Sequence, residues 1–227
     1  MNGWAIFTDL LAGFGVTLKL FGMTLLFSLP LGLLVSLCLF CRFKPLAWLF
    51  RGIIWVVRGT PLLLQCIVVS FVPSVVFGLK NKDVAGFFGV SVTDLQFLFV
   101  LIAFVLNYAC YFAVIYEGGI KAISQGQYEA GDVLGLTRVQ IFFHVVLLQV
   151  IRRITAPMSN EIITLVKDTA LARVLSVAEV ITVAYEKVNR YAILTPLLGA
   201  GAFYLVFSGL LTLLFRLAEK KVGYYKI

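Results

Sequence analysis

The stretch LQFLFVLIAFVLNYACYFAVIY, running from Leu95 to Tyr116, contains no charged residue. An apolar run of this length crosses the roughly 30 Å hydrocarbon core of a bilayer as a helix, which takes about 20 residues. Four other segments read the same way, residues 14–41, 61–79, 154–183 and 193–215. Lipid offers the backbone no hydrogen-bonding partner, so spans are helical, and these are too long and too uniformly apolar for barrel strands. The whole chain is 61% hydrophobic and 13% charged, against about 45–50% and about 25% in soluble domains. The expectation is an all-α membrane protein, one transmembrane domain over residues 1–227 with about five helices.

Charge sorts the connections into two sets. Residues 42–60 carry Arg42, Lys44, Arg51 and Arg58, residues 117–153 carry Lys121, Arg138, Arg152 and Arg153, and the tail carries Arg216, Lys220, Lys221 and Lys226. These alternate connections share a side and hold twelve basic residues, whereas the opposite side has Lys80, Lys82, Lys187 and Arg190. The positive-inside rule then puts the N-terminus outside and the C-terminus in the cytoplasm. Residues 1–13 hold no Lys or Arg, so the first apolar run lacks the basic n-region of a cleaved signal peptide and reads as a retained span. Thr60-Pro61 reads as a helix start, with Thr as N-cap and Pro at the first helical position. Pro30, Pro73 and Pro196 are points where helices can kink. Trp48 and Trp55 fall near the cytoplasmic interface and Tyr185 and Tyr191 near the outer one, in keeping with aromatic belts.

Several function classes drop out. The formal charge is +8, yet no basic stripe is interleaved with exposed aromatics, so no nucleic-acid partner is expected. Cys38 and Cys41 form a C-x-x-C without a second Cys pair or a His cluster, and His144 cannot make a metal site alone. With Cys66 and Cys110 they read as small buried hydrophobes. No catalytic constellation is visible, so the chain does not read as an enzyme.

Residues 117–153 are the longest and most polar connection and read as two short helices. Ser124 with Gln127, and Thr137 with Gln140, have the form of capping boxes. Gly135 falls between them, where a left-handed residue ends a helix. Such a helical hairpin serves either as a docking element or as a plain connector. Glu129-Ala130-Gly131, then Gly135, Val145 and Leu147, resembles the EAA loop of ATP-binding cassette (ABC) importer permeases. The pattern departs at Gly131, where the family usually has Ala, and at Leu148, where it has Pro. Arg58-Gly59-Thr60-Pro61-Leu62-Leu63-Leu64-Gln65 resembles the R-G-T-P-L-L-x-Q motif of the polar amino acid branch. Gly118-Gly119-Ile120, Gly126-Gln127-Tyr128, Gln149, Arg152, Asn160 and Leu165-Val166-Lys167-Asp168-Thr169-Ala170-Leu171 fit that branch in order. The resemblance covers nearly the whole chain.

The resemblance implies the type I ABC importer permease fold, in a multi-pass protein of the bacterial inner membrane. It also implies that residues 117–153 form a cytoplasmic coupling loop. In it, Glu129, Ala130, Gly131 and Gly135 would dock on a dimer of ABC ATPase subunits, which bind the ATP. The other implied partners are a second permease protomer, identical or related, and an external binding protein that delivers a polar amino acid. No cofactor is expected on this chain, which has no G-x-x-x-x-G-K-[ST] phosphate loop.

The fourth apolar segment is unusually polar, with Asn160, Glu161, Thr164, Lys167 and Asp168. Residues 160, 164, 167, 168 and 171 lie on one helical face. Charges at membrane depth face a bundle interior, a wet cavity or one another. This face therefore lines a translocation path or subunit interface, or its charges form structural ion pairs. Asn107, Asp168 and, less centrally, Gln65 are the nominees for a mid-membrane amino acid pocket, with Glu161 and Lys167 along the path. Asp168 would take an α-amino group, and Asn107 or a helix N-terminus a carboxylate. Where the family has A-Y-x-x-E-x-x-R-G-G-I, this chain has Val114 for the Glu and Glu117 for the Arg. That weakens the case for a cationic substrate here and raises the reading that this subunit carries no substrate site. An ion-gradient-driven secondary carrier, using Glu161 and Asp168 as proton or cation sites, is the competing reading.

Overall fold

A computed structural model describes residues 3–222; the tail residue Lys226 lies outside them. The chain runs through α1 (Gly3–Leu39), α2 (Lys44–Gly59), α3 (Leu62–Phe77), α4 (Asn81–Phe88), α5 (Val92–Lys121), α6 (Gln125–Val133) and α7 (Arg138–Ile141). A π-helical turn (Phe142–Val146) leads into α8 (Leu147–Asp168), a 3₁₀ segment (Thr169–Leu175), α9 (Val180–Tyr191) and α10 (Thr195–Val222). Four stretches are long and apolar enough to cross a bilayer: α1, α5, the continuous segment Arg138–Leu175, and α10. The pair α2–α3, bent by 112°, makes a fifth if counted as one broken span.

α5 is the axis. Its buried face runs from Leu95 through Phe104 and Phe112 to Gly119. α1 packs along it most extensively. α1 buries small side chains at Gly13, Thr17, Thr24, Ser28, Gly32 and Ser36, of which Gly13 and Thr17 meet Val180 of α9 and Gly32 meets α5. A methyl at Gly32 would lie 2.9 Å from both the Ala109 carbonyl and Phe112 Cβ. Small residues permit this approach where lipid supplies no hydrophobic drive between helices. The opposite limit is α10, where Leu198 and Leu205 are about three-quarters exposed. In a bilayer that face is solvated by acyl chains.

Contacts group the connections by end. At the end where α1 finishes, Arg51 of α2 reaches Glu117 of α5 at 3.1 Å, and the Lys121 ammonium lies 6.0 Å from the Phe40 ring centre. At the end where α1 begins, Lys187 of α9 pairs with Asp9.

The structure changes four local expectations. Residues 44–59, read as part of a connection between spans, form an amphipathic helix, started by Pro45 in its first turn, with Ala47 and Ile54 turned inward. Thr60 is not an N-cap: its hydroxyl donates back to the Val56 carbonyl at 2.9 Å, closing α2, and Pro61 takes the N-cap place of α3. The fourth span does not continue to residue 183. It tightens to 3₁₀ after Asp168 and turns at Ser176 (φ 56°). Glu179 then restarts a helix, its carboxylate accepting from the N–H groups of Ile181 and Thr182 at 2.8 and 2.6 Å. Finally, Cys66 and Cys110 are buried as expected, whereas Cys41 is exposed at the end of α1.

Candidate functional site

Three elements meet around a cavity of about 430 Å³. α5 supplies Asn107, Tyr108 and Tyr111, α8 supplies Glu161, Thr164 and Asp168, and the α2–α3 bend supplies Thr60 and Pro61. Positions 161, 164 and 168 recur at helical spacing, so one face of α8 presents all three. The Tyr108 hydroxyl donates to Asp168 Oδ2 at 2.7 Å. Asn107, which is 5% exposed, donates from Nδ2 to Gln65 Oε1 at 3.0 Å. Gln65 Nε2 in turn donates to the Val57 carbonyl at 2.7 Å and to Thr60 Oγ1 at 2.9 Å. A strap therefore runs from α5 through α3 to the end of α2 and holds the bend beside the cavity. Pro61 gives the first turn of α3 no side-chain cap, so its leading N–H groups are open to an anion. The lining carries two carboxylates and no Lys or Arg. An ammonium group is the natural complement to Asp168 and Glu161, and a carboxylate to Asn107 and the start of α3.

Of the residues nominated from sequence, Asn107, Glu161 and Asp168 line this cavity, and Gln65 stands directly behind Asn107. Lys167 does not join them. It faces a separate groove against α10, with Tyr204 and Ser208. Asn160 is exposed and outside the cavity. The polar arc of α8 is thus divided. Residues 161, 164, 168 and 171 face the cavity, and 163 and 167 face α10. Among the described residues, Glu161, Lys167 and Asp168 form no ion pair. Tyr108, Tyr111 and Arg58 were not nominated. The signal for the tyrosines was the i, i+3 spacing of polar-tipped rings beside Asn107 in an otherwise apolar span.

Beyond α5, residues 125–141 fold as a helical hairpin. Gly135 takes φ 71°, and the Leu136 N–H donates to the Gly131 carbonyl at 3.1 Å. The Thr137 capping box forms: the Gln140 N–H donates to Thr137 Oγ1, and the Thr137 N–H to Gln140 Oε1. The Ser124 box does not form. Gln127 instead accepts from Gln149 Nε2 at 3.0 Å, which ties α6 to α8. Glu129 and Ala130 are exposed, whereas Gly131 is buried against Ile141. Val133 and Leu134 project from the turn, 87% and 76% exposed.

The sequence model of the family described as "Binding-protein-dependent transport system inner membrane component" matches residues 28–224. The chain belongs to this family. It is a transmembrane permease of the ABC transporter class. This inner membrane component is 33% identical to the arginine transport system permease protein ArtQ of Bacillus subtilis, over 94% of this chain and 92% of that one. It is 31% identical to the L-cystine transport system permease protein TcyB of the same organism, over 94% and 86%. It is 32% identical to the arginine ABC transporter permease protein ArtM of Escherichia coli, over 78% and 77%. Among solved structures, one titled as an amino acid ABC transporter with histidines superposes at a TM-score of 0.81, with 26% identity over 94% of both chains. The MetNI methionine ABC transporter shares the fold, at a TM-score of 0.65 and 16% identity over 97% of both chains.

Proposed function

We propose that this chain is the membrane-spanning permease subunit of an ABC importer for polar amino acids, coupled through residues 117–153 to a separate ATPase subunit. The observation that carries the reading is the pairing, in one member of this family, of a polar cavity inside the helix bundle with an exposed hairpin at one end. Asp168 and Glu161 take the substrate ammonium, and Asn107 with the first turn of α3 takes its carboxylate. Glu129 and Ala130, with Gly131 and Gly135 shaping the hairpin, dock on the ATPase, which binds the ATP. Val133 and Leu134 add apolar contact there. The charge distribution puts the hairpin in the cytoplasm and the N-terminus outside. One chain supplies half of a path, so a second permease protomer completes it, and an external binding protein delivers the substrate. The membrane is the bacterial inner membrane.

Affinity purification of the tagged chain from its native membrane tests this. A co-purifying ATPase subunit, lost from Glu129→Arg or Gly135→Trp, is the expected result. Recovery of the chain without an ATPase, unchanged by either substitution, overturns the importer reading and returns the secondary carrier.

A further inference from the structure

A second cavity, of about 440 Å³, adjoins the first, and Tyr111 lines both. Its charge has the opposite sign. Arg51 and Arg58 face it together with a single carboxylate, Glu117. That carboxylate is already engaged by Arg51 at 3.1 Å and by Lys121 at 2.6 Å. Arg58 forms no ion pair among the described residues. Its guanidinium lies 4.8 Å from the centre of the Tyr111 ring, over the face of the side chain that divides the two cavities. Val114, which stands where the resembled motif has Glu, lines the same cavity as Arg58. A guanidinium held on an aromatic face keeps its N–H donors free for a planar, bidentate acceptor such as a carboxylate.

We propose that this second cavity is a further substrate station, which binds the α-carboxylate of the amino acid at Arg58, with Tyr111 as the partition from the acidic cavity. The inference rests on the transport reading of that cavity. An α-amino acid carries both charges. It is held by its ammonium at Asp168 and Glu161, and by its carboxylate at Arg58 once past Tyr111. The departure at 114 and 117 then has a positive meaning. Moving the acid along α5 to Glu117, where Arg51 and Lys121 neutralise it, leaves Arg58 available.

The test is equilibrium binding to the full-length chain in lipid nanodiscs, using radiolabelled L-arginine, L-cystine and L-glutamine as probes. For the probe that binds, the wild type is expected to hold two molecules per chain. Arg58→Gln and Val114→Glu each lower this to one, whereas Arg58→Lys retains two with the second weakened by about tenfold or less, near 1.4 kcal/mol. Asp168→Asn removes the other molecule, so binding retained by each variant reports that it is folded. The carboxamide of the probe occupies only the acidic cavity. A wild-type stoichiometry of one, or Arg58→Gln and Val114→Glu both indistinguishable from wild type, overturns the second station and leaves the first standing. Failure of Arg58→Lys to retain the second molecule overturns recognition by charge. Binding of none of the three probes to the wild type overturns the reading of the acidic cavity itself.

Discussion

A methyl group at residue 131 would lie 2.5 Å from Ile141 Cγ1, and Ile141 is fully buried. That contact explains why this chain has Gly where the EAA pattern has Ala: here the two arms of the hairpin close on a β-branched side chain. Gly131→Ala is therefore expected to open the hairpin, at a cost of about 1–3 kcal/mol for overpacking. Hydrogen exchange across residues 125–141 measures it. Faster exchange that Ile141→Ala, which removes the clashing γ carbons, partly restores is the expected outcome, and unchanged exchange would count against the contact. The hairpin's stop and restart were legible in the sequence, because Gly135 and the Thr137–Gln140 pair act through local backbone geometry. The Gly131–Ile141 contact was not, because it depends on how closely two helices approach. Ser124 shows the same boundary. Its local motif is intact, but Gln127 is drawn off by Gln149 from a different helix.

Among the elements, α3 raises the sharpest question, because at 16 residues it is about 24 Å long at roughly 1.5 Å per residue. That falls short of the roughly 30 Å hydrocarbon core. α2 precedes it across a 112° bend and packs on α1 and α5 instead of continuing its line. The Gln65 amide holds the corner by donating to Val57 and Thr60, while its carbonyl accepts from Asn107. Gln65→Leu removes all of these bonds and leaves Asn107 with a buried, unpaired donor. Pulsed electron–electron distances between spin labels at Trp55 and Val75 should broaden in this variant and also in Gln65→Glu, which keeps the acceptor for Asn107 but loses the donors to Val57 and Thr60. An equally narrow distribution in Gln65→Leu would show that packing alone sets the bend. The R-G-T-P-L-L-x-Q stretch marked this region in sequence, yet it read as a helix start. The Thr60 hydroxyl turns back to α2 because its carbonyls at Val56 and Val57 need donors at the helix end.

For the molecule as a whole, Glu179 is a buried junction. It is 0% exposed, and it accepts from Ile181, Thr182 and the Tyr204 hydroxyl, which is 3.1 Å from Thr169 Oγ1. The 3₁₀ segment, α9 and α10 therefore meet at one carboxylate. α1 joins them through the Thr17 hydroxyl, which accepts from the Val180 N–H. Glu179→Ala is expected to cost about 1–3 kcal/mol through the donors it orphans. Thermal unfolding in nanodiscs measures the loss, and a midpoint within error of wild type would refute the junction. Overall orientation has its own check. In a background lacking native cysteines, Glu129→Cys should react with a membrane-impermeant maleimide only from the cytoplasmic side, and Lys187→Cys only from outside. Labelling of both from one side would contradict the charge-based topology.

The sequence by itself determined the solvent, the helical class, the places of the apolar spans though not the ends of the first and fourth, the hairpin and the polarity of α8. These follow from composition, run length and local capping, which act over a few residues. Only the tertiary structure decided that Tyr108 would hold Asp168, that Asn107 would hold Gln65, and that Lys167 would turn to α10. Partners such as Asn107 and Gln65 lie 42 residues apart, and Tyr108 and Asp168 lie 60 apart. A helical wheel gives the width of a polar arc. Which half of that arc meets which neighbour depends on the rotation of each helix, and packing along α5 settles that.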